Sequence, residues 1–424
     1  MPSHGFLLAL AVGCSGGLVG VAQDAASFTP SPQPQKDIPP MLKVTWTRGP
    51  NIPQGLQDGQ VGIIGDTLVM ACGFCSGRTE PHKQDRYPRG FLSATWGLDL
   101  NARQKGWERL PDYPGTPRQG LGAITLDNAI YFWGGFNYTA PFCYTEGYRL
   151  GRHDGKWIWQ ALPEFPWRVG AVGLCPIGTT IYAFGGADYD EKRFYTNSDR
   201  TGKNERQGAR LLVIDTKDLK AGWKRLPDCP GTPRFYGATA GVGGKIYVIG
   251  GATGERIENG KNLGYGTVVD NWSYDPAAGQ WRRLRDLPIS SGNFPSGAIT
   301  YADRYILLIG GYQYAHVANP DGTVRPPYGK AGRFDGKGDY YNDVFVYDTR
   351  TDLFGRADSL PINNNAPMAV VRGDEVFLLG GETGGGWVEG EYYGHHPDLL
   401  LVGKIEPVKR SVTEANTSTP ARSW

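Results

Sequence analysis

A series of Trp, Leu-Pro, Pro-x-Arg, an apolar run and a closing Gly-Gly recurs in order along nearly the whole chain, most fully between Trp223 and Gly251. Other copies run from Trp107 to Gly134-Gly135, from Trp159 to Gly185-Gly186 and from Trp281 to Gly310-Gly311. In a fifth, Phe354 stands in for the Trp and Gly380-Gly381 closes it; in a sixth, starting at Trp46, Cys72-Gly73 replaces the glycine pair. A unit of roughly 50 residues repeated in this way cannot bury its own apolar faces, so neighbouring copies must stack to make one core. The 424 residues therefore read as one closed domain.

Each copy holds four stretches with strand character. After the Arg comes a small-residue segment such as Gly237-Ala238-Thr239-Ala240, suited to a crowded axis. The apolar run that follows, such as Lys245 to Ile249, is continuous enough to imply cover on both faces. A variable insertion comes after the glycine pair, then a strand ending in Asp (at Asp215, Asp275 and Asp348), then an outer strand carrying the next Trp. Four antiparallel strands per copy make a propeller blade, so the expected fold is all-β with six blades. The last copy has no outer strand, and Val44-Thr45-Trp46 has no preceding partner. Pairing the N-terminal strand with the last blade closes the ring and removes the free edge.

These residues resemble the kelch family of β-propellers, in which a double glycine ends the second strand, a later strand ends in aromatic-x-Asp, and a Trp follows a fixed step on. The resemblance spans about Trp46 to Ile405 and departs at Cys72-Gly73 and in the second copy, where the Asp is displaced to about Asp154. It implies a six-bladed kelch propeller over residues 42–406. The chain is similar to the galactose-oxidase propellers in its repeats, but their copper site needs two tyrosines, two histidines and a Cys–Tyr crosslink, and His316, His395 and His396 fall in unequal insertions. It also resembles the bacterial sialic acid mutarotases, exported six-bladed kelch proteins that work without a cofactor. From that resemblance neither cofactor nor metal is expected.

Phe6 to Ala22 is apolar and glycine-rich and ends in Gly20-Val21-Ala22, which reads as a signal peptide over 1–22 even though no Lys or Arg precedes it. The expected location is exported, periplasmic or extracellular, without a membrane span in the mature chain; anchoring through Cys14 is the alternative. Residues 23–41 form a Pro-rich linker, and 407–424 form a tail without apolar periodicity. With 44 basic against 42 acidic residues the chain has no polyanion-binding field, which excludes nucleic acid as a partner class. Among the five cysteines beyond the signal, a Cys75–Cys143 bridge is expected from their equivalent positions just past the closing glycines of adjacent copies.

Strand alternation places the loop entering each inner strand on the same face as the insertions. Arg118 and Arg234 lie 17 residues before the second glycine of their pairs and Arg168 lies 18 before; the same count assigns Phe294, Asn364 and the segment Leu56 to Asp58 to the other copies. A crescent of three guanidiniums suits a carboxylate in fork geometry, hence an acidic sugar, a small acidic ligand or an acidic peptide. The bland reading pairs each Arg with a neighbouring acid or carbonyl. Tyr236, Trp167, Asp188 and Tyr312 join the candidate ligand-binding set. Glu382 and Arg234 are the candidate catalytic residues, because an acid turned inward beside those cations could act as a general base. Tyr392 to His396 with Asp398 reads as a surface turn rather than a metal site. The leading function is recognition of a carbohydrate or other extracellular ligand, with mutarotase- or epimerase-like isomerisation as its enzymatic form. The rival is a non-catalytic scaffold binding an extracellular protein.

Overall fold

The computed structural model of the chain describes residues 35–190, 193–196, 206–294, 299–329 and 340–408. The signal segment, Cys14, most of the linker and the tail from residue 409 lie outside the described residues. Among the described residues, six fully antiparallel four-stranded sheets are built in chain order. The fourth is typical: Ala238–Val242, Lys245–Ile249, Trp272–Asp275 and Gln280–Arg283. The six innermost strands, starting at Gln60, Gln119, Gly173, Ala238, Ile299 and Met368, each contact the next, and the last contacts the first.

The ring is joined by Leu42–Arg48, which pairs antiparallel with Leu400–Pro407 from Leu42↔Pro407 to Arg48↔Leu401. That strand buries Leu42 and Val44 against Leu401 and Ile405. Beyond its first residue the second strand of each blade is apolar because its alternate residues serve two interfaces. Ile246 and Val248 pack on Cys175, Phe184 and Leu211 of the third blade; Tyr247 and Ile249 pack on Ile306, Leu308 and Phe345 of the fifth.

The repeated Trp and Leu-Pro residues form one joint. The indole N–H of Trp159 donates to the Pro111 carbonyl, that of Trp281 to Pro227 and that of Trp107 to Pro50, each in the segment before the inner strand of its own blade or the strand preceding it. The closing glycine forms a second joint. Its N–H donates to the residue that opens the next blade: Gly73 to Arg118, Gly135 to Val169, Gly186 to Arg234, Gly311 to Asn364 and Gly381 to Leu56, at 2.8–3.0 Å. The φ angles of +86 to +117° at Gly73, Gly186, Gly251, Gly311 and Gly381 are ones only glycine adopts readily, and a Cβ at Gly381 would lie 1.9 Å from Asn364 Oδ1.

These bonds correct the counting above. The third-blade position is held by Val169 rather than Arg168, and in the fifth blade Phe294 lies in the core between blades, where its ring lies against Gly250. No bridge links Cys75 and Cys143: both are buried thiols, with Cys75 Sγ against Asp85 and Cys143 Sγ at the Ala187 carbonyl.

Candidate functional site on the propeller axis

Two residues beyond the blade-opening position the backbone turns left-handed in every blade, with φ of +51° at Asp58, +62° at Gly120, +54° at Ala171, +51° at Tyr236, +56° at Asn293 and +46° at Ala366. These residues are strung together around the axis: Gly120 N–H donates to the Asp58 carbonyl, Ala171 N–H to Gly120 and Tyr236 N–H to Ala171. Five of the six carry a side chain in a conformation that costs about 1–3 kcal/mol each, so the collar is held by the surrounding blades. It aims Asp58, Tyr236 and Asn293 at one cavity.

The predicted arginines do not line it. Arg118 is fully buried and donates through Nε to the Thr116 carbonyl and through Nη1 to the Gly134 carbonyl and Glu146 Oε2, at 2.8, 3.1 and 2.9 Å. Arg234 does the same work in its own blade, bonding the Thr232 and Gly250 carbonyls and Asp270 Oδ2 at 2.9, 3.2 and 2.7 Å. Asn364 repeats it with an amide, Nδ2 to the Gly380 carbonyl at 2.8 Å. The blade-opening side chain is thus a clamp on the first glycine's carbonyl.

Arg168 is exposed, and Trp167 lies under the Arg210 guanidinium at 4.4 Å. Tyr312 packs on Tyr314 and Tyr340, and Asp188 is buried in the hairpin Asp188–Tyr189/Phe194–Tyr195. Of the sequence candidates, Tyr236, Glu382 and, from the segment Leu56 to Asp58, Gln57 and Asp58 line the cavity.

The cavity holds about 270 Å³. Blades five, six and one contribute Asn293, Asn365, Glu382, Gln57 and Asp58; blades two to four contribute the rings of Phe136, Tyr138, Tyr189, Phe194, Tyr236 and Tyr265 together with the Gln119 amide. The aromatic arc is continuous, with Phe136–Phe194 and Tyr189–Phe194 ring centres 4.9 and 4.8 Å apart. Larger cavities of about 600 and 410 Å³ lie elsewhere, but the carboxylates lining them, Glu255, Asp303 and Asp352, are at least partly exposed.

The two carboxyls of the axial cavity are held in opposite states. Burial pushes Asp58 up to about 7, only partly offset by the Tyr236 hydroxyl and reinforced by the charge of Glu382. Burial also disfavours the Glu382 charge, but His395, His396 and Asn365 outweigh it and hold the carboxyl down at about 2. Glu382 Oε1 lies 2.9 Å from His395 Nε2, and its Oε2 accepts from Asn365 Nδ2 at 2.8 Å. The Tyr236 hydroxyl faces Asp58 without full hydrogen-bond geometry and, with Asn365 Oδ1, is a buried polar atom lacking a partner. Buried groups of that kind are completed by a ligand or water.

His395 and His396 overturn the expectation of a surface turn, being 2% and 3% exposed with ring centres 4.4 Å apart. The loop that covers them is Gly77 to Tyr87, whose Asp85 binds the His396 main-chain N–H and Nδ1 at 2.7 and 3.0 Å. Nothing local in Gly394-His395-His396 announces that cover. Asp58, by contrast, lies in the segment Leu56 to Asp58 that the spacing assigned to this face, although the spacing gave it no chemical role.

An all-β ring of four-stranded blades, joined by glycine pairs and Trp and opening on an axial cavity, defines a propeller. The family model for the kelch motif matches residues 233–288. Proteins named N-acetylneuraminate epimerase, from Pasteurella multocida strain Pm70 and Haemophilus influenzae strain 86-028NP, are 22% and 23% identical over 80% of this chain and 89% and 88% of their own lengths. A Kelch domain-containing protein of Vibrio cholerae is 32% identical over 36% of each chain. A solved structure titled "Structure of YjhT" superposes with a TM-score of 0.55 at 16% identity, covering 85% of this chain and 99% of that one. The chain is a β-propeller that carries a kelch motif.

Proposed function

We propose that the axial cavity binds one sugar ring and interconverts its anomers or epimers without a redox cofactor, in an exported protein whose signal is residues 1–22. The observation that carries this reading is Asp58, a buried carboxyl brought to about 7 beside an ionised partner, in a cavity walled by aromatic rings. Two carboxyls pushed apart in this way are suited to be an acid and a base at neutral pH. Aromatic faces stack on the C–H face of a pyranose, while Gln57, Asn365 and Tyr236 meet its hydroxyls. In mutarotation, Asp58 donates its proton to the ring oxygen as Glu382 takes the anomeric hydroxyl proton, and the bond between the anomeric carbon and the ring oxygen breaks. Reclosure on the other carbonyl face returns both protons. The relatives' printed name supports a sugar as substrate class.

Arg234, paired with Asp270, acts in the scaffold under this reading. The test is anomer exchange followed by NMR on reducing sugars, N-acetylneuraminate included. Acceleration by the wild type, reduced 10²–10⁴-fold in Asp58→Asn and Glu382→Gln, is expected. Saturable sugar binding without exchange would reduce the protein to a lectin-like binder, and absence of binding would favour the protein scaffold.

A further inference from the structure

The geometry points to a divalent-cation site formed by Glu382, His395 and His396 at the wall of the axial cavity. One donor atom from each lies within 4.8 Å of the other two, and the two histidines are almost fully buried. The decisive contact is at His395. Its Nδ1 lies 2.9 Å from the Thr383 carbonyl, and a carbonyl only accepts, so Nδ1 carries the proton. In the neutral ring Nε2 is then bare, yet it faces Glu382 Oε1 at 2.9 Å. Two lone pairs do not meet at that distance unless a proton or a cation joins them.

The surroundings favour the cation. A ligating histidine is normally held by a bond from its other nitrogen to a carbonyl or carboxylate, and here Thr383 holds His395 while Asp85 Oδ2 stands 3.0 Å from His396 Nδ1. His396 Nδ1 lies 3.0 Å from the Asp85 carboxylate, which only accepts, and 3.2 Å from the Ser76 N–H, which only donates; the shorter, charged contact places the proton on Nδ1 and leaves Nε2 for a metal. Two imidazoles and one carboxylate with further positions open to a cavity are a donor set for first-row divalent ions. With bonds of roughly 2.1 Å, adjacent ligands lie about 3.0 to 3.4 Å apart, so a first-row divalent ion needs only a small separation of the two atoms that face each other at 2.9 Å. The neighbouring trio of Cys75, Asp85 and His396 is a poorer cage. Burial pushes the Cys75 thiol up to about 12, and Asp85 Oδ2 already accepts from the Ser76 hydroxyl and the Arg78 N–H.

The site shares Glu382 with the sugar reading and is tested without activity, so that failure of one does not decide the other. The chelator-treated full-length protein is titrated with Mn²⁺ alone by calorimetry and by paramagnetic broadening of histidine NMR signals. One equivalent is expected, with His395 and His396 signals broadened and His153 unchanged. Affinity falls at least 100-fold in His395→Ala and Glu382→Gln and about 10-fold in Asp85→Asn, and is unchanged in Cys75→Ser; circular dichroism confirms that each variant is folded. No stoichiometric binding by the wild type, with one proton titrating on the His395–Glu382 contact, overturns the proposal. So does binding that is lost in Cys75→Ser but kept in His395→Ala.

Discussion

Asp270 and Asp58 are both buried aspartates, 1% and 9% exposed, and both sit close to a blade opening, yet they are put to opposite uses. Asp270 receives Arg234 Nη2, the Thr232 N–H and the Trp272 indole N–H at 2.7, 3.1 and 2.8 Å. Burial disfavours its charge, but Arg234 and Arg283 prevail and keep its pKa below the usual value. Among the described residues Asp58 has no cation beside it, only the Gln57 amide at 3.3 Å and the Tyr236 hydroxyl, and burial raises it. The difference separates scaffold from chemistry: a buried acid with a cation supplied holds a blade together, whereas one with neutral partners alone is poised to exchange a proton.

Arg234→Ala breaks the comparison most severely. Removing one partner strands the Asp270 charge, and a loss of about 3–5 kcal/mol is expected, read as a lower denaturant midpoint; a loss under 1 kcal/mol with abolished sugar binding would return Arg234 to the site. Asp58→Asn should do the reverse. The folded state holds the Asp58 proton to about 7 and the unfolded chain releases it near 3.8, so this group's contribution is greatest at low pH and declines as pH rises from 4 to 7. The variant escapes that decline and should gain up to about 4 kcal/mol over wild type at pH 8, with little difference at pH 4. Thermal melts across that range check the sign.

Tyr236→Phe sharpens the contrast further. Its hydroxyl lacks a full partner, so stability should move by under about 0.5 kcal/mol while ligand affinity falls roughly tenfold; equal losses in both would make it structural. The smallest effect is expected far from the axis. Trp281→Phe keeps an aromatic ring but removes the bond to the Pro227 carbonyl, and should cost about 1 kcal/mol without altering sugar affinity.

The blades were legible because each is written several times over, so a defect such as Cys72 in place of glycine does not hide the pattern. Cys72 adopts φ +63° and the blade forms around it. Spacing located Arg118, Arg234 and Asn364 correctly as equivalents, but chemistry misread them, since a guanidinium on a binding face and one clamped on its own glycine carbonyl have the same spacing. The count slipped at Arg168, where the residue 17 before the second glycine is Val169 and the Arg one place earlier was taken instead, and at Phe294, where the loop entering the blade differs in length. His395 was misjudged because its neighbours, Thr383 and Glu382, are distant in sequence and its cover comes from the first blade's insertion across the ring closure.

By itself the sequence determined the all-β class, the blade as repeating unit and the face on which the insertions gather, because period and strand alternation are local properties. Only the tertiary structure decided which polar residues are satisfied and which are not. Whether Arg234 is a ligand contact or a clamp, and whether Asp58 holds its proton at neutral pH, depends on desolvation and on partners brought in from other blades, and neither is present in any one stretch of chain.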